Sequence, residues 1–184
     1  MCECATSPEG SAGPINDEET LRYFVNSRSN ADLKKNRKFG PRSLNRIFSD
    51  GLSVCRVDMA TPKEVYYTAE NLFEIMRKHY DDYGGIVGVL DFKCKIVRQL
   101  ACEDGGRLIC VPETPLDPNS DGGYNRPSHS DIVHAREHCE DQQAIRVMVF
   151  NAIVADEGEP YTPLEKVDNG HLKEFLPPAL KSMK

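Results

Sequence analysis

Apolar residues return every three or four positions in TPKEVYYTAENLFEIMRKHY, where Val65, Ala69, Leu72, Phe73 and Met76 form one stripe and most charges fall outside it. Thr61 as N-cap, Pro62 at the first helical position and Glu64 completing T-x-x-E predict a capped helix over residues 62–80. In GLSVCRVD the spacing changes: Leu52, Val54 and Arg56 alternate with Ser53, Cys55 and Val57, the period of a strand with apolar side chains on both faces. IVGVLDFKCKIVRQL is β-rich, and RLICVP follows the turn residues Glu103 to Gly106, which predicts an antiparallel hairpin. The β-branched run AIRVMVFNAIV reads as an inner strand. Two more helices are expected: a short one capped at Asn16 or Asp17 that turns Leu21, Phe24 and Val25 inward, and one over residues 128–141 with Ser128 as N-cap.

These elements assemble into an α+β fold: one domain over residues 16–154, with a mixed sheet of four or five strands and two main helices. Residues 1–15, rich in Ser, Pro, Gly and Glu, bury too little apolar surface to offset ordering and form a disordered, flexible tail. Residues 155–184 form a C-terminal arm whose LKEFL segment docks Leu172, Phe175 and Leu176. Residues 112–127 make a long loop with four prolines.

A chain of 184 residues, 39% of them hydrophobic, is large enough for its own core. Its net charge of −6 opposes general binding to nucleic acid or anionic membranes, so any phosphate contact has to be local. No run of eighteen apolar residues occurs and the first residues do not read as a secretory signal, which predicts a soluble cytoplasmic protein without membrane contact. Seven cysteines, an odd number without C-x-x-C spacing, fit reduced thiols, and Cys2 and Cys4 lack a third metal ligand nearby.

Candidate chemistry gathers in HAREHC. His134, Glu137 and His138 match H-x-x-E-H, the inverted zinc-protease signature, in which two imidazoles on one helical face hold zinc and the glutamate is the general base. His129 is a candidate third ligand, and zinc is the one cofactor suggested in a chain otherwise expected to need none. On a helical wheel, however, His134 and His138 lie roughly 100° to 140° from the apolar centre, on a face shared with Asp131, Glu137 and Asp141, which favours a solvated helix face. Cys139 beside His138 is better placed as a buried thiol than as a nucleophile, because helix neighbours diverge.

The second candidate is cationic. Lys34, Lys35, Arg37, Lys38, Arg42 and Arg46 follow one another without an acid, and Phe39 among them supplies a ring for stacking, as a phosphate or single-strand contact requires. Arg126, just ahead of the expected helix at Ser128, is a candidate anion contact at that helix start.

No constellation sets nucleophile, base and oxyanion donors at catalytic spacing. The first reading is therefore a non-enzymatic binding or accessory module whose partner is another protein. A metal-dependent hydrolase at residues 134–138 comes second, and phosphate or nucleic-acid binding through residues 34–46 third.

Overall fold

The computed structural model describes residues 10–26, 40–81, 83–103, 105–116, 126–135, 141–157, 161–167 and 170–175. Among them six strands, β1 (Thr20–Asn26), β2 (Leu52–Arg56), β3 (Ile86–Lys93), β4 (Ile109–Cys110), β5 (His129–His134) and β6 (Tyr161–Pro163), form one sheet in the order β4-β5-β2-β1-β3-β6. Every neighbouring pair runs antiparallel, so the expected mixed sheet is antiparallel throughout and gains a strand from the C-terminal segment. The α-helices are α1 (Pro62–His79), α2 (Cys94–Arg98) and α3 (Gln142–Glu157), with 3-10 turns η1 (Pro41–Phe48), η2 (Leu164–Lys166) and η3 (Gly170–Phe175).

Each face of the sheet carries its own apolar layer. On one, Leu21, Tyr23, Leu52, Val54 and Ile132 pack with Leu44 and Ile47 of η1, Ile96 and Val97 of α2, and Ile145, Val149 and Ile153 of α3. On the other, Phe24, Cys55 and Val89 meet Val65 and Ala69 of α1 together with Leu164, Leu172 and Phe175. Helix α1 forms as its cap predicts: Glu64 N donates to Thr61 Oγ1 at 3.2 Å and Thr61 N to Glu64 Oε2 at 3.0 Å.

Three segments differ from expectation. Asn16 does cap a turn, with Glu18 N donating to its Oδ1, but no helix follows; residues 20–26 are β1. The acids that suited a helix dipole have distant partners instead: Asp17 pairs with Arg98, Glu18 with Lys95 and Glu19 with Arg56. The expected helix over residues 128–141 is strand β5 at 129–134, paired along Leu52 to Cys55 of β2. Conversely, the apolar run after residue 143 is helix, not strand: Asp141 Oδ1 accepts from Gln143 N and Ala144 N, and Ile145, Val149 and Ile153 are buried at intervals of four.

The expected hairpin is present as a bridge between Ala101 and Arg107, with Gly105 at φ 82° in the turn. Cys102 and Cys110 are disulfide-bonded, which corrects the expectation of reduced thiols, while Cys55 and Cys94 are free and buried.

Of the segment expected to be a tail, residues 10–15 are described, and these are held against the domain. Ser11 bonds to Glu113, Ala12 N donates to Pro127 O, and Ile15 is buried. Beyond α3, β6 pairs with β3, and Leu172 and Phe175 dock as predicted; Leu176 lies outside the described residues. No helix of the described residues is long and apolar enough to cross a membrane.

Candidate binding surface

Polar side chains enter the α1 face of the sheet in register. His129 stands opposite Cys55, Cys55 opposite Arg22 and Arg22 opposite Asp91, a row across four strands. Arg22 donates to both Asp91 oxygens at 2.8 and 2.6 Å, and this bond raises the arginine pKa. Glu64, nine-tenths buried, receives Ser128 Oγ at 2.9 Å on Oε1 and the Thr61 cap on Oε2. Cys55 Sγ lies 3.7 Å from Ser128 Oγ, and burial pushes its thiol up to about 11 even though that contact lowers it. A thiol so placed is protonated at neutral pH and is packing, not a nucleophile.

The sequence candidates Arg126 and His129 join this network. With the Asn71 amide oriented to satisfy both groups, its oxygen accepts from Arg126 Nη1 at 3.2 Å and Nη2 at 3.0 Å. No helix begins at Ser128, so the anion site proposed at such a terminus has no helical amides to offer, and Arg126 is buried beside α1. His129 Nδ1 lies 2.6 Å from Thr114 O; a carbonyl only accepts, so this nitrogen carries a hydrogen. Thr114 Oγ1 in turn donates to Asp131 Oδ2 at 2.8 Å, and Ser53 Oγ to Asp131 Oδ1 at 3.1 Å.

His134 lies elsewhere. At the end of β5, opposite Ile109, it is an odd number of residues from His129 and therefore points to the other side of the sheet. Its ring packs on Phe48, centroid to centroid 5.3 Å. The helix that H-x-x-E-H requires is a strand at its first histidine, and the structure does not bring His129 and His134 together. Glu137 and His138 lie outside the described residues, among which no three His, Cys, Asp or Glu gather as a metal site.

Lys35, Arg37 and Lys38 also lie outside the described residues, whereas Arg42 is exposed on η1. In a 3-10 turn residues three apart share a row, so Arg42 lies in line with Asn45 and Phe48. Asn45 Oδ1 accepts from Arg146 of α3, which joins the two elements. Arg146 also donates to Gln142 O at 3.2 Å and Gln143 Oε1 at 2.7 Å. Among the described residues neither Arg42 nor Arg146 has a carboxylate partner, although five other ion pairs of arginine or lysine side chains with Asp or Glu, at 3.3 Å or less, occur around them.

Next to this cationic junction, the outer face of α3 carries no charge along residues 147–155, although the exposed polar Asn151 lies between Val147 and Met148 on it. Residues 147–155, VMVFNAIVA, contain no charge, and Val147 and Met148 are 37% and 42% exposed. A helix inside a soluble domain normally turns a charged face to water. The sequence carried this signal as an uncharged run and Asp141 as a cap, but β-branched content concealed that the element was a helix. A scan against family models finds no match for the chain, and neither the curated proteins nor the solved structures supply one.

Proposed function

We propose that this chain is a non-enzymatic binding module that docks another protein through the outer face of α3. The observation that carries this reading is the uncharged turn of α3 at Val147 and Met148, exposed on a helix already anchored by Ile145, Val149 and Ile153. The buried polar groups support it in a second way: Arg22, Asp91 and Glu64 under α1, and Arg56 on the opposite face, are all engaged by partners, and the Cys55 thiol is held protonated, so these groups fix the scaffold. The disulfides at Cys102 and Cys110 weigh against the cytoplasmic location expected from the sequence, because such bonds persist in oxidising compartments.

The test is isolation of the protein from its own cells under mild conditions, as wild type, as Val147→Asp, and as Glu74→Lys on the far helix. One partner protein held at fixed stoichiometry by wild type and Glu74→Lys and lost in Val147→Asp supports the reading. A partner retained by Val147→Asp contradicts it.

A further inference from the structure

Resting on that reading, we infer that the partner presents an amphipathic helix whose apolar face carries acidic residues along one edge. Helix α3 and η1 lie side by side, joined by the bond between Arg146 and Asn45. Arg42 occupies the same row of η1 as Asn45, so two guanidinium groups stand along one border of the apolar stripe.

Arg146 is held by neutral acceptors, Asn45 Oδ1, Gln142 O and Gln143 Oε1, and Arg42 is exposed on η1, so neither charge is neutralised by a carboxylate among the described residues. Arg22, Arg56 and Arg98 close on Asp91, Glu19 and Asp17 at 2.6 to 2.9 Å, and even exposed Arg46 has Asp50 at 3.3 Å. Arg42 and Arg146 have no carboxylate among the described residues, in a chain with 29 acids against 23 bases. The uncharged turn beside them asks for an apolar ligand, and the guanidinium pair asks for carboxylates along its edge. A helix meets both demands, because apolar residues at intervals of three and four and acids at the flanking positions project from one surface. Helix α3 as a whole is sixteen residues long, so a partner helix lying along it would be of roughly 24 Å.

The inference is tested with three synthetic sixteen-residue peptides: leucines at helical spacing with glutamate flanks, the same leucines with lysine flanks, and a scramble of the first. Fluorescence anisotropy with the full chain is expected to register the glutamate peptide alone, with affinity falling as salt rises. It falls about tenfold or more with Val147→Asp and by a similar factor with Arg42→Glu. Circular dichroism of each variant checks that the fold is kept, and a second, milder variant, Met148→Gln, serves if Val147→Asp does not fold.

Equal binding of the lysine peptide, binding indifferent to both variants, or no binding of the glutamate peptide overturns the inference. So does sedimentation showing that a second copy of the chain occupies the face, or preferential binding to vesicles rich in phosphatidylserine. If the peptides fail while the native partner is still lost in Val147→Asp, the acidic helix is wrong and docking through α3 stands; if both fail, both are wrong.

Discussion

Arg56 Nε and Nη2 close on the two oxygens of Glu19 at 2.7 and 2.9 Å, while Nη1 reaches the Gly13 carbonyl at 2.6 Å, all with the arginine 1% exposed. Truncation would leave a carboxylate and a strap carbonyl without their donor, so Arg56→Ala is expected to cost about 3–5 kcal/mol in urea unfolding. A loss below about 1 kcal/mol would mean that the N-terminal strap contributes little. The thiols give a pH dependence. Burial raises Cys55 and Cys94 from 9.0 to about 11. The unfolded thiol ionises first, so this stability is complete below pH 9 and is lost as pH rises toward 11. Cys55→Ala should flatten that decline in a urea series; an unchanged slope would contradict the burial of its thiol. Alkylation should label Cys55 and Cys94 only after unfolding, and Cys102 and Cys110 only after reduction as well. Little of this was legible residue by residue: the Arg56 and Glu19 pairing spans 37 positions, and nothing local to either marks the other.

At the scale of elements, the sequence was clear where local chemistry and tertiary packing agree. Thr61, Pro62 and Glu64 specify α1 by contacts within one turn, and the structure forms each of them. It misled where they conflict. Ser128, read as an N-cap, gives its hydroxyl to Glu64, 64 residues away, and HSDIVH, with Ile132 and Val133 adjacent, has no alternation that would have marked β5. For α3, Asp141 outweighs β-branched content, so Asp141→Ala is expected to lower stability by about 1 kcal/mol, read from the thermal midpoint. Strand β6 depends on Gly88, where a Cβ would run into the Tyr161 ring and Thr162 O. Gly88→Val should therefore detach β6 and speed amide exchange at Tyr161 and Thr162, which pair with β3 in wild type. Unchanged exchange would show that the strand can accommodate the side chain.

For the whole molecule, the sheet divides the candidates that the sequence placed together. Arg126 and His129 enter the buried network under α1, whereas Arg42 and His134 belong to the opposite side, next to η1. The face proposed for a partner lies along α3, where Val147 and Met148 stand near two arginines without a carboxylate among the described residues, on a chain of net charge −6. The central claim, that this face docks another protein, is most directly tested by placing a photoreactive phenylalanine analogue at position 148, and separately at position 74 on α1, in cells that make the protein. The account predicts one defined crosslinked product from position 148 and none from position 74. Crosslinking from position 74 alone, or equally from both, would contradict it.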